Sequence, residues 1–115
     1  MKINQAGVTI ERGTIGIDFD GVVHDYTKGW QGGEVYGEEV PGAFETIYEL
    51  MYKGFEVFLF TSRGDDPRAR QWLREKGFSY WESIEMTDKK KGAIAYIDDR
   101  AIRFTNWSDI RKYFI

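Results

Sequence analysis

Ile15-Gly16-Ile17-Asp18-Phe19-Asp20-Gly21-Val22-Val23 reads as a short buried strand that ends in two carboxylates and a glycine break. In a strand, residues i and i+2 project to the same side. Asp18 and Asp20 are therefore expected to point into one small volume at the strand end. Two carboxylates about 4 Å apart repel by about 1 kcal/mol in water and about 4 kcal/mol at an effective dielectric of 20. A hard divalent cation such as Mg²⁺ offsets that repulsion, because it takes oxygen ligands and commonly only one or two carboxylates. A hairpin turn is the competing reading of Asp20-Gly21. It leaves Asp18 unexplained.

The rest of the chain builds a domain around this strand. At 115 residues the chain is the size of one domain, and 1–115 is read as one unit. A 42% hydrophobic and 30% charged composition belongs to a folded globular protein rather than a disordered one. The net charge of −3 argues against a strongly basic nucleic-acid clamp. Without cysteine there is no disulfide and no thiolate metal site. No apolar run approaches the ~20 residues of a membrane span, and the N-terminus lacks a signal-peptide segment. A cytoplasmic location is the expectation.

Residues 1–12 alternate weakly around Ile3, Val8 and Ile10 and suggest a small hairpin or edge strand. Residues 24–40 form a glycine-rich loop with Tyr26, Lys28, Trp30 and Tyr36. Connections this long without structure of their own are often functional, so the loop is read as a flap over a site. Shortening Gly29–Gly37 is expected to change substrate preference more than stability. Pro41 to Lys53 has helical spacing in Phe44, Ile47, Leu50 and Met51. Residues 55–60 are a second strand, followed by Thr61-Ser62-Arg63. Asp65 or Asp66 caps a second helix with Pro67 in its first turn. A third strand is expected over 80–86, a lysine run at 89–91, a fourth strand over 93–97 and a short fifth over 102–104. Asn106 or Ser108 caps a last helix in which Trp107, Ile110 and Phe114 share a face.

Strands alternating with helices predict a single-domain three-layer α/β sandwich with a mostly parallel, doubly wound, Rossmann-like sheet. In such sheets ligands bind outside the carboxyl ends of the strands. Asp18 and Asp20 follow the first strand, Thr61, Ser62 and Arg63 the second, and Asp98 and Asp99 the fourth. Each group alone fits a cap, a turn or a solvated face. Their conjunction on three strand ends points to a site. His24, the only histidine, is more often a loop or core residue than a catalytic base.

These residues resemble the four signatures of the haloacid dehalogenase-like superfamily of phosphotransferases, over roughly residues 14–104. Asp18-Phe19-Asp20-Gly21 is similar to the first motif, Thr61 to the second, a lysine among Lys89, Lys90 and Lys91 to the third, and Ile97-Asp98-Asp99-Arg100 to the fourth. Lys90 is the preferred third-motif residue. Val22 stands where many members have threonine.

The resemblance implies a Mg²⁺-dependent phosphatase that hydrolyses phosphate monoesters through an aspartyl-phosphate. Asp18 would be the nucleophile, and Asp20 would protonate the leaving oxygen and then activate water. Mg²⁺ would sit between the Asp18 carboxylate, the Asp20 main-chain carbonyl and Asp98, with Asp99 holding a metal-bound water. Thr61 would hydrogen-bond the phosphoryl oxygens and Lys90 would offset their charge. Ser62, Arg63 and His24 are assigned to substrate binding. The chain has no room for a cap domain. Capless members act on large or exposed substrates, so a phosphorylated small molecule, a nucleotide or a nucleic-acid end is the expected partner. The alternatives are an inactive metal- or phosphate-binding domain of the same fold and a receiver-like signalling module. A metal-dependent nuclease also uses Asp-x-Asp, but with a leading glutamate that has no counterpart here.

Overall fold

In the computed structural model, which describes residues 2–115, the predicted strand is β1, Gly13–Ile17. The elements that follow are α1 (Ala43–Tyr52), β2 (Phe55–Phe60), α2 (Pro67–Glu75), β3 (Met86–Thr87), β4 (Ala95–Ile97) and α3 (Trp107–Phe114). The four strands form one sheet in the order β3-β2-β1-β4, and every pairing is parallel. The chain steps from β1 to β3 in one direction and then returns to place β4 on the far side of β1. That reversal makes a switch point between β1 and β4, the position at which open α/β sheets bind ligands.

Strand alternation divides the side chains between the two faces. Ile15 pairs with Val57 and Ile17 with Leu59, and these four join one buried cluster. Phe44, Ile47 and Met51 of α1 and Ala69, Trp72 and Leu73 of α2 pack into the same cluster. Both helices thus cover one face. On the other face Phe58 is fully buried, and Tyr96 packs edge-on against Phe58 and Phe60. No helix covers that face among the described residues. The expected second helix layer is thus absent among the described residues, and the 88–94 segment lies there instead, tied down by the Tyr96 hydroxyl donating to the Lys91 carbonyl. Gly16 lies in this layer for a steric reason: a Cβ there would come within 2.6 Å of the Tyr96 ring and 2.8 Å of Phe58.

Helix ends follow local chemistry. Asp66 caps α2 by accepting from the Arg68 N–H, with Pro67 in the first turn. Asn106 caps α3 by accepting from the Asp109 N–H. The N-cap of α1 is Gly42, which has no side chain to offer, and Glu39 accepts from the Phe44 N–H at 2.9 Å in its place. Helix α1 begins at Ala43, so Pro41 precedes it rather than opening its first turn.

Several sequence expectations are corrected. The third strand is only Met86–Thr87; residues before it turn instead, with the Ile84 N–H donating to the Tyr80 carbonyl. No strand forms over 102–104, where all three residues are exposed. The Trp107, Ile110 and Phe114 face of α3 has the expected spacing, yet Trp107 is 72% exposed and none of the helix is buried. The N-terminal hairpin is a compact turn with an antiparallel bridge between Ile3 and Thr9. Asn4 anchors it by donating to the Met51 and Phe55 carbonyls. No helix of the described residues is long and apolar enough to cross a membrane.

Candidate functional site

A cavity of about 470 Å³ opens at the carboxyl ends of the strands, and Asp18, Asp20, Thr61, Ser62 and Asp98 line it. Each of these was predicted from its position after a strand. Asp88 and Arg100 line it as well, with Tyr26, Trp30 and Phe60.

The first acidic group is Asp18 with Asp98 and Asp99. One carboxylate oxygen of each lies within 4.8 Å of the others. Among the described residues, none of the three forms an ion pair. Asp18 accepts from the Phe19 N–H and Asp98 from the Arg100 N–H. Burial, then repulsion from Asp98, Asp99 and Asp20, pushes the Asp18 carboxyl up from 3.8 to about 6, against the Phe19 hydrogen bond. A set of three carboxylates without a protein cation matches the all-oxygen coordination of a hard divalent ion. The donors therefore fit Mg²⁺. Gly21 lets Asp99 approach, because its φ is +89° and a Cβ there would collide with the Asp99 carboxylate.

The second acidic group is Asp20, whose carboxylate lies outside that set. Arg63 donates to it twice, from Nε to Oδ2 at 2.7 Å and from Nη2 to Oδ1 at 3.2 Å. His24 contacts Oδ1 through Nδ1 at 2.9 Å. The His24 Nε2 accepts from the Gly37 N–H, so the proton sits on Nδ1 and that atom donates to Asp20. Burial raises the Asp20 carboxyl, but the hydrogen bonds from His24 and Arg63 outweigh it and hold it below its usual value. Its main-chain carbonyl, the expected metal contact, accepts no hydrogen bond among the described residues.

Two of the three residues assigned to substrate binding are thus placed elsewhere. The His24 side chain is completely buried, stacked on Phe19 and crossed by Trp72. The Arg63 side chain is 1% exposed and also donates to Asp66 and to the Gly33 carbonyl. Both act on Asp20 rather than on a ligand. His24 lies four residues from Asp20 at the turn, a spacing from which the contact was legible. Ser62 remains exposed in the cavity. Thr61 is buried and accepts from the Arg63 N–H, which leaves its own proton to donate.

The lysine run behaves differently from expectation. Lys91 pairs with Glu85 and Glu56 and lies over the Phe58 ring. Lys90, the chosen residue, is exposed with its Nζ over the Tyr96 ring, and it does not line the cavity. Arg100 lines it instead. Its guanidinium has no hydrogen bond or ion pair among the described residues.

The 24–40 loop is anchored rather than loose. Gly33 and Gly32 carbonyls accept from Arg63 and Arg68, and the Gly37 carbonyl accepts from the Trp72 indole. Tyr36 closes the loop on itself by bonding to the Lys28 N–H and the Gly29 carbonyl. Shortening Gly29–Gly37 would remove these anchors, so it carries a stability cost beside the expected change in substrate preference.

No protein-family model and no curated protein sequence matches the chain. A solved structure does. It is described as that of a conserved protein from Bacteroides thetaiotaomicron, with a TM-score of 0.58 and 24% identity over 89% of this chain and 88% of that one. This likeness shows the fold, a small Rossmann-like α/β domain with an all-parallel sheet.

Proposed function

We propose that the chain is a Mg²⁺-dependent phosphatase acting on phosphate monoesters, with Asp18 as the nucleophile. The observation that carries this reading is the uncompensated Asp18–Asp98–Asp99 cluster at the switch point of a parallel sheet, facing a cavity that also presents Thr61, Ser62 and Arg100. Phosphoryl transfer needs little beyond positioning and charge neutralisation, and this inventory supplies both. A bound Mg²⁺ would lower the repulsion among the carboxylates and draw charge from the phosphoryl oxygens.

Asp18 would attack phosphorus with one carboxylate oxygen as the phosphorus–oxygen bond to the leaving group breaks, and the leaving oxygen would depart with the bonding pair and take its proton from solvent. The Thr61 hydroxyl and the Arg100 guanidinium would hold the phosphoryl oxygens. Asp20 would then take a proton from the water that hydrolyses the aspartyl-phosphate. Held ionised by Arg63 and His24, Asp20 suits this second role better than donating a proton to the leaving oxygen. Turnover should accordingly depend on the leaving group, with aryl phosphates cleaved faster than alkyl ones.

The test is phosphate release with and without Mg²⁺ by the wild type and by Asp18→Asn. Mg²⁺-dependent release that falls at least about 10³-fold in the variant is expected, since a nucleophile has no substitute. Equal release by both would remove Asp18 from the mechanism. Metal binding without release from any monoester would support the alternative of a metal-binding domain.

A further inference from the structure

We infer that the chain forms a two-fold dimer by exchanging α3, each copy seating this helix in an apolar groove between α1 and β4 of the other. This stands apart from the phosphatase reading and does not depend on it.

The groove is a gap in the layer of helices. Ile97 pairs with Ile17 in the parallel register, so both project to the face that α1 covers. Ile17 is 4% exposed there, whereas Ile97, one strand further out, is 44% exposed. The hollow left beside α1 has a volume of about 200 Å³, and Val22, Val40, Pro41, Leu50 and Ile97 line it. Thr46 is the one polar side chain in its wall. A sheet face buries its apolar side chains by packing against another element, and over β4 that element is wanting.

Helix α3 carries the matching face. Trp107, Ile110 and Phe114 lie at i, i+3 and i+7, and Phe104 packs edge-on against Trp107 to extend the stripe. None of residues 98–115 is buried. A helix shorter than about 12–15 residues is marginal in water by itself, and α3 has 8. Its apolar face needs a surface to cover it.

The page favours a second copy as that surface. The chain leaves β4 and carries α3 away from its own body, and the radius of gyration is 15.2 Å against about 13 Å for a compact chain of this length. Helix and groove are thus both open on one chain, and reciprocal exchange, a low-cost route to a dimer, closes two of each. The charges agree. Helix α1 exposes Glu45 and Glu49 and has no basic residue, while Arg103 and Arg111 stand before and on α3. None of these four side chains forms an ion pair among the described residues. The area agrees as well. Phe104, Trp107 and Phe114 are 58, 72 and 76% exposed, which is about 400 Å² at roughly 200 Å² for each side chain. With a similar area lost from the groove, two seated helices bury about 1,600 Å², the size of a standard stable interface.

The experiment uses the absence of cysteine, which makes introduced thiols unique. Thr46→Cys in the groove wall and Ser108→Cys on α3 are placed in one chain and joined by a short bifunctional maleimide. A link between two chains is expected on a denaturing gel, and sedimentation equilibrium of the wild type should give twice the 13.4 kDa chain mass. Trp107→Ser with Phe114→Ser should raise the dimer Kd at least about 100-fold. Glu45→Lys with Glu49→Lys should raise it about tenfold, and mixing that protein with Arg103→Glu, Arg111→Glu should restore a mixed dimer. A wild type that stays monomeric at every concentration overturns the inference. A link formed within one chain does so too, because α3 then closes on its own groove. A dimer indifferent to Trp107→Ser with Phe114→Ser, or a mass that keeps growing with concentration, overturns the reciprocal exchange.

Discussion

Replacing Arg63 by Met tests the most connected side chain of the site. Arg63 is 1% exposed and Asp20 and Asp66 only 15% and 8%, so all three charges are withdrawn from water. Removing one partner of a buried ion pair costs about 3–5 kcal/mol, because the remaining charge is left unsatisfied. Here Asp20 keeps His24 and Asp66 keeps Arg68, which places the expected loss near the lower end, about 3 kcal/mol. For a chain of 115 residues the unfolding entropy makes this a fall in Tm of about 12 °C. Differential scanning calorimetry at pH 7 measures it. Because the loss comes from an orphaned carboxylate, adding Asp20→Asn to Arg63→Met should recover about 4–8 °C. The sign with pH follows from Asp20. Its folded carboxyl is held below 3.8, so the pair stabilises the fold above that pH. That contribution is lost as pH falls through the folded value, and the gap between wild type and Arg63→Met should narrow below about pH 4. A Tm loss under about 3 °C, or no recovery in the double variant, would refute the reasoning that Arg63 is there to compensate Asp20.

Asp18 has the opposite linkage. Its folded carboxyl stands at about 6, above 3.8, so without metal the folded state binds more protons than the unfolded state between these values. Tm of the metal-free protein should therefore lose this contribution as pH rises from about 4 to about 6.5, and Mg²⁺ should restore it at the upper end; a metal-independent Tm across that range would contradict the cluster's role. Gly21→Ala forces an L side chain into a left-handed backbone and against Asp99, so it should destabilise by about 1–2 kcal/mol and weaken Mg²⁺ binding at least about fivefold in a calorimetric titration. Unchanged Mg²⁺ affinity would show that Asp99 stands apart from the metal.

The readable parts of the chain were those in which local rules and tertiary structure agree. Short apolar runs, Ile15-Gly16-Ile17 and Val57-Phe58-Leu59, marked the strands, and the two-residue period of a strand sorts their side chains onto two faces. Asp66-Pro67 announced the start of α2. Residues 80–86 misled because Tyr80, Trp81 and Ile84 have strand-like side chains but pack as turns against the core. The α3 face was legible as a pattern, yet periodicity says nothing about whether a partner surface covers it.

The sequence by itself determined which carboxylates leave which strand, because i, i+2 spacing and strand boundaries are local properties. Asp18, Asp20 and Asp98 reach the cavity for that reason. Only the tertiary structure decided which charge each one meets. Arg63, assigned to substrate binding from the sequence, turns back across 43 residues to Asp20, while Asp18 is left facing Asp98 and Asp99. Arg100 was hidden behind the acid pair it follows, and its place in the cavity depends on β4 docking beside β1. Pairing between distant residues is set by the registers and loops that bring strand ends together, and side-chain charge discriminates only within the roughly 10 Å that salt screening leaves.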